Sequence, residues 1–246
     1  MQRRLQKSGV SRRGIVADSA TEIGNIAALE SAGFAMTIRY PIFKAAACHT
    51  SSVFLDAEKT AEKACDLIAE AAKGGAELVV FPESFLPGFP IWAALQAPIY
   101  NHGFFRALVS QAQKISDPAI RSIQMAARRH GVFVSLGFTE GTEASVGCIW
   151  NSNILIGDEG TILNHHRKLV PTFYEKLVWA NGDARGLRVS PTRLGKLGML
   201  ICGENTNPLS RYALMAQGEQ VHISSYPPII RRFGRRGLPP KKKLMT

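Results

Sequence analysis

The sequence predicts an α/β fold, a sandwich of mixed β-sheets flanked by helices. Two observations carry that expectation. Short apolar runs of strand length alternate with longer segments whose apolar residues recur at helical spacing. Asp158-Glu159-Gly160 then separates two strand-like segments that follow one another directly, so a hairpin is embedded in the alternation. With 246 residues, 46% of them hydrophobic, the chain can bury a sizeable core as one large domain or two small ones.

Residues 1–42 show no sustained period, end near Pro41 and read as a disordered basic leader. Order begins at FKAAACHT, an apolar run of strand length. Asp56 then caps a helix whose Ala57, Ala61, Ala64, Ile68 and Ala71 form one apolar face, closed by Gly74-Gly75. ELVVF at 77–81 is a strand leading into Pro82-Glu83, and HGFFRALVSQAQK reads as a helix. Asp117-Pro118 starts another helix that runs to Gly131, since proline suits the first helical turn. VFVSLGF, CIWNSNILIG and TILNHHRK are strands, the last two forming the hairpin. After a looser stretch come the strand LGKLGMLIC, a helix opened by Asn207-Pro208 and stopped by Gly218, and the strand QVHISS. No internal repeat is present.

The net charge of +11 belongs to the ends of the chain. Residues 1–44 carry seven Lys/Arg and three acids, residues 229–246 carry seven Lys/Arg and no acid, and the part between holds 16 of each sign. Basic ends can bind nucleic acid, but here no aromatic interleaving or recognised motif accompanies them, so solvated ends are expected and specific nucleic-acid binding is not. No apolar run approaches the roughly 18–20 residues that a bilayer needs, so no membrane association is expected. Cys48, Cys65, Cys148 and Cys202 form no CxxC pair and the histidines lack zinc-finger spacing, so no metal is expected. The first 14 residues are rich in Arg and Ser in the manner of a mitochondrial presequence, but Asp18, Glu22 and Glu30 interrupt that pattern. The expected compartment is the reducing cytoplasm.

Three segments carry the chemistry: VVFPESFLPGFP at 79–90, NHHRKLVPTFYEK at 164–176 and LGMLICGENTNPL at 197–209. Each sets one reactive side chain just past a strand: Glu83, Lys168 and Cys202. A carboxylate, an ammonium and a thiol so placed are the parts of covalent catalysis through a cysteine. Gly203 would permit the tight turn that presents Cys202, and the helix start beyond it would favour a thiolate. Glu83 would sit at the mouth of the sheet in a partly apolar site that raises its pKa, which suits a proton acceptor. The apolar, proline-rich SFLPGFP reads as a pocket wall, and Trp92 just beyond it reads as wall or as core. Lys168 would hold the thiolate and stabilise charge developing on the substrate. His165, His166 and Arg167 read as structural or exposed, although one histidine could meet the site. Asn205 is a candidate for positioning substrate.

In order and in flanking residues the three motifs resemble the nitrilase (carbon–nitrogen hydrolase) family over residues 43–228, with the basic tail 229–246 outside it. The resemblance implies a four-layer αββα sandwich and a Glu83–Lys168–Cys202 triad. It also implies an auxiliary role for Glu175 in positioning the lysine or the attacking water, and a homo-oligomer without metal or organic cofactor. The string CGENTNPLSRYALMAQGEQVHISSYPP is similar to the nitrile-cleaving branch, which implies hydrolysis of a nitrile to a carboxylic acid and ammonia through a covalent thioimidate and thioester. A nitrile or cyanide hydratase that releases an amide is the neighbouring alternative. Family members continue past HISSYPP, whereas here IIRRFGRRGLPPKKKLMT has no apolar period. A C-terminally truncated sandwich, and with it an inactive subunit or fragment, is therefore a further expectation.

Overall fold

The computed structural model describes residues 16–17 and 40–228. Most of the expected leader and the whole of the tail 229–246 lie outside the described residues. Two sheets form. The first contains β1 (Val16–Ala17), β2 (Ala45–Ala47), β3 (Leu78–Val80), β4 (Phe133–Glu140), β5 (Trp150–Ile156) and β6 (Ile162–Arg167), in that spatial order. The second contains β7 (Ser190–Thr192), β8 (Gly195–Ile201) and β9 (Val221–Ser225). Pairing is parallel across β2, β3 and β4 and antiparallel across β4, β5 and β6, so β6 runs the same way as β3. The mixed sheets that the sequence predicts are present. Val16–Ala17, inside the segment read as a leader, pairs with Ala45–Ala46 and extends the edge.

The helices are α1 (Ala57–Lys73), α2 (Trp92–Leu95), α3 (His102–Gln111), α4 (Pro118–His130) and α5 (Pro208–Met215). Asp56 caps α1 by accepting from Lys59 N at 3.0 Å. The small face of α1 (Ala57, Ala61, Ala64, Ile68) meets Ile120, Ile123 and Ala127 of α4. Alanines on one helix let the second approach closely, and both bury against Val79, Val134, Leu136, Phe138 and Ile154 on the outer face of the first sheet. Each large apolar side chain there contributes about 1.5–3 kcal/mol. An exposed pair such as Lys59–Asp56 contributes at most about 1 kcal/mol, so packing holds this layer.

The inner face of the same strands packs on the second sheet. Leu78, Phe133 and Leu155 meet Leu197, Met199 and Ile223. Helix α5 crosses from β8 to the parallel β9, and because the inner face is taken, it covers the outer one. The layers therefore run helix, sheet, sheet, helix. Toward the C-terminal ends of β3 and β8 the inter-sheet layer turns polar: Ser135 Oγ donates to Asn153 Oδ1 at 3.0 Å, and Asn153 Nδ2 donates across to Ser225 Oγ at 3.2 Å. No helix among the described residues is long and apolar enough to cross a membrane.

Candidate active site

Strand ends deliver the three reactive side chains to this polar margin. Strand β3 ends at Val80; after Pro82, which has no N–H to donate, the chain leaves the ladder, and Glu83 N donates to Tyr226 O beyond β9 at 2.9 Å. Strand β4 passes directly behind this turn at Gly137. A Cβ there would lie 2.3 Å from Pro82 O and 2.9 Å from Glu83 Cα, so only glycine lets the two backbones meet. Lys168 follows β6, with its N donating to Asn151 O at 2.8 Å. Cys202 follows β8.

The side chains then converge. Lys168 Nζ donates to Glu83 Oε1 at 2.8 Å and to Glu175 Oε2 at 2.6 Å, all three side chains being buried. Glu83 Oε1 also accepts from Asn151 Nδ2 at 2.7 Å. Its other oxygen, Oε2, is buried with no partner among the described residues. Glu175 lies on a 3₁₀ turn, Phe173–Leu177, whose start it closes by accepting from Thr172 N at 2.9 Å. The Cys202 thiol and one carboxylate oxygen from each glutamate lie within 4.8 Å of one another. Three such donors could in principle hold a metal, but the Lys168 ammonium already bonds both carboxylates.

Burial dominates the electrostatics. It raises Glu83, with Glu175 adding to it and Lys168 opposing it, to a pKa of about 7. Burial works against the Lys168 charge, but Glu83 and Glu175 outweigh it and hold this lysine above its ordinary value. Burial, then the Glu83 carboxylate, pushes Cys202 up to about 12. The expectation of a resting thiolate is thereby overturned: the resting group is a thiol. The helix start invoked for it is already occupied, because Asn207 Oδ1 accepts from Leu209 N and Ser210 N at 3.0 and 3.3 Å.

The turn at Cys202 also differs from expectation. Cys202 itself takes the left-handed conformation, φ +49°, and not Gly203. Gly203 is needed for space, since a Cβ there would lie 2.8 Å from Thr172 Oγ1. Among the described residues four non-glycines have positive φ; one is Cys202, one is Ser84 beside Glu83, and one is Phe173 near Glu175. Backbone strain of this kind, of order 1–3 kcal/mol each, gathers where side chains must be aimed.

Asn205 faces the elbow. Its Nδ2 donates to Cys202 O at 2.8 Å, and its Oδ1 pairs with His222 Nε2 at 2.7 Å, so its amide is engaged by protein groups. Trp92 is buried and stacks on Phe104 at 5.7 Å, in a cluster with Phe89 and Trp179, which makes it core behind the turn that carries Glu175. Along β6 the side chains alternate. His165 and Arg167 turn to Glu140, whose Oε2 accepts from Ser152 Oγ (2.6 Å), His165 Nε2 (2.8 Å) and Arg167 Nε (2.9 Å). His166 turns the other way and meets Glu204 at 2.9 Å. Asn151, Thr172 and Glu204 were not singled out from the sequence. The available signal for Asn151 was a run of three polar residues, Asn151-Ser152-Asn153, near the start of a strand that is otherwise apolar.

A model of the family described as carbon-nitrogen hydrolase matches residues 44–239. The chain belongs to the carbon–nitrogen hydrolase family. The match runs past residue 228, the boundary expected from the motifs. Among curated relatives, "Nitrilase 3" from an unknown prokaryotic organism is 37% identical over 188 residues, 76% of this chain and 56% of that protein. A cyanide hydratase of Gibberella baccata is 36% identical over 186 residues, 75% of this chain and 52% of that protein. This carbon–nitrogen hydrolase chain thus spans about half the length of the curated relatives it matches. An amidase from Nesterenkonia sp. superposes with a TM-score of 0.60 at 20% identity, covering 78% of this chain and 67% of the amidase, so the fold is shared.

Proposed function

We propose that this domain hydrolyses the carbon–nitrogen triple bond of a small nitrile through a covalent intermediate on Cys202, with a carboxylic acid and ammonia as products. The observation that carries the reading is Glu83 with one oxygen pinned by Lys168 and Asn151 and the other unpartnered, beside a thiol that is protonated at rest. With Glu83 near 7 and Cys202 near 12, proton transfer in the free enzyme is uphill. The thiol therefore loses its proton to Glu83 as sulfur bonds to the nitrile carbon, and the proton passes to the nitrile nitrogen to give a neutral thioimidate. Lys168 stabilises the negative charge that develops on that nitrogen. Water, losing its proton to Glu83 or Glu175, adds to the thioimidate carbon. That proton passes to the nitrogen and the new hydroxyl gives up its own, so ammonia leaves as the carbonyl forms and a thioester remains, which a second water hydrolyses to the acid and the free thiol.

If the first tetrahedral intermediate expels the thiol instead, the product is an amide. Similarity to a cyanide hydratase at almost the same identity as to a nitrilase favours keeping this branch as the second reading. A nitrile panel assayed for ammonia, acid and amide separates the two. Mass spectrometry must place the slow-substrate adduct on Cys202; an adduct on Cys48, Cys65 or Cys148 sinks the assignment. Four free cysteines support a reducing, cytoplasmic setting. The exposed stripe Leu209, Tyr212 and Met215 on α5 supports a homo-oligomer, which sedimentation tests.

A further inference from the structure

We propose that Glu204 is a positioning residue whose buried carboxylate fixes the separation of Cys202 from Lys168; the proposal rests on the reading of those two residues given above. Glu204 lies two residues past the nucleophile and touches no group assigned a chemical step. Its bonds reach in two directions. Oε2 accepts from Ile201 N, the amide just before Cys202, at 2.9 Å. Oε1 accepts from Leu169 N, the amide just after Lys168, at 2.5 Å. Oε2 also meets His166 Nε2 at 2.9 Å, and His166 is fully buried on β6, the strand that Lys168 follows.

Ile201 ends β8 of the second sheet, whereas His166 and Leu169 lie in and just past β6 of the first. One carboxylate therefore bonds the backbones flanking both reactive residues, across the gap between the sheets. A residue that only capped the 3₁₀ turn after Cys202 would need the Ile201 bond alone. The two arms to β6 are what mark Glu204 as a spacer. The Cys202 φ of +49° adds to the case, because a strained elbow keeps its aim only while its surroundings hold it. Each oxygen faces a backbone amide that can only donate, Ile201 N on Oε2 and Leu169 N on Oε1, so the site needs an acceptor at both positions. Glutamine offers a single acceptor oxygen and brings an NH₂ that must face one of the two amides. Glu204→Gln thus releases either the elbow or the Lys168 segment in either amide orientation.

The test compares wild type, Glu204→Gln and Glu204→Asp as purified full chains. Alkylation of Cys202 by iodoacetamide is followed against pH by peptide mass spectrometry, alongside kcat and KM on a nitrile and thermal melting. Misplacement by about 1 Å costs about 100-fold in rate, so Glu204→Gln is expected to lower kcat by that order while KM stays within about threefold. The pH profile of Cys202 alkylation is expected to move, because Lys168 and Glu83 no longer face the thiol as before. Glu204→Asp keeps the acceptors but is shorter, and is expected to change both readouts in the same direction by less. A melting temperature that falls while the alkylation profile and kcat stay at wild-type values in folded Glu204→Gln overturns the proposal. If that variant does not fold, an unchanged profile in Glu204→Asp overturns it equally. A slow-substrate adduct that maps in wild type to Cys48, Cys65 or Cys148 and not to Cys202 would instead defeat the functional reading on which the proposal stands.

Discussion

Glu83 and Cys202 show how one burial effect assigns two roles. Both pKa values rise, but the carboxyl stops near neutrality and the thiol near 12, so above pH 7 the carboxylate is the base and the thiol its acid. Because the proposed mechanism needs Glu83 unprotonated, kcat/KM is expected to climb with pH through about 7 and level off above it, which a pH–rate profile on a turned-over nitrile tests. An acidic limb near the ordinary carboxyl value of 4.5 would mean that Glu83 is not the titrating base. This much was legible in the sequence, since Glu83, Lys168 and Cys202 each sit in a distinctive local string. The direction of the Cys202 shift was not legible. It depends on burial first and then on two carboxylates that arrive from residues 83 and 175, far away in the chain.

At the scale of elements, β6 shows what a strand's alternation does. Its inward residue His166 serves the elbow, while its outward residues His165 and Arg167 grip Glu140, with Arg167 also lying 4.0 Å over the ring of Trp150. Burial works against the Glu140 charge, but the bonds from Arg167 and His165 outweigh it and bring its pKa from 4.5 down to about 2. A lowered carboxyl stabilises the fold above its unfolded pKa and loses that contribution as pH falls through the folded one. Glu140→Gln should therefore cost about 2 kcal/mol at pH 7 and almost nothing near pH 2, as urea melts at the two pH values will test. Helical spacing and caps placed α1, α4 and α5 closely in the sequence. The three-residue β7 and the pairing of Val16–Ala17 carry too little pattern to be read that way, because tertiary neighbours decide them.

For the whole molecule, the sandwich depends on how two sheets are joined at both rims. At the site rim the joints are polar and buried. At the opposite rim one arginine does the joining: Arg193, on the β7–β8 turn, donates to Asp158 Oδ2 at 2.8 Å and to Gly131 O at 3.2 Å, pairs with Glu77, and lies 5.3 Å over the Phe133 ring. Its side chain is 44% exposed, which screens the ion pairs. Arg193→Ala is accordingly expected to cost about 1 kcal/mol, with no effect on Cys202 alkylation at the far rim. A changed alkylation rate in a folded Arg193→Ala protein would show the two rims to be coupled. The layer order followed from alternating strands and helices. The polar turn taken by the inter-sheet layer did not, because Asn153 and Ser225 are 72 residues apart and meet only once both sheets are in place.

The left-handed backbone at Cys202 sets durability against usefulness. At φ +49° an L side chain costs roughly 1–2 kcal/mol, and glycine is free of that penalty. Of two proteins without the thiol, Cys202→Gly should then melt higher than Cys202→Ala, by the equivalent of about 1 kcal/mol after glycine's larger loss of chain entropy. Directed selection for heat resistance alone would be drawn toward glycine at this codon, and every lineage that took the step would lose the thiol that the proposed chemistry requires.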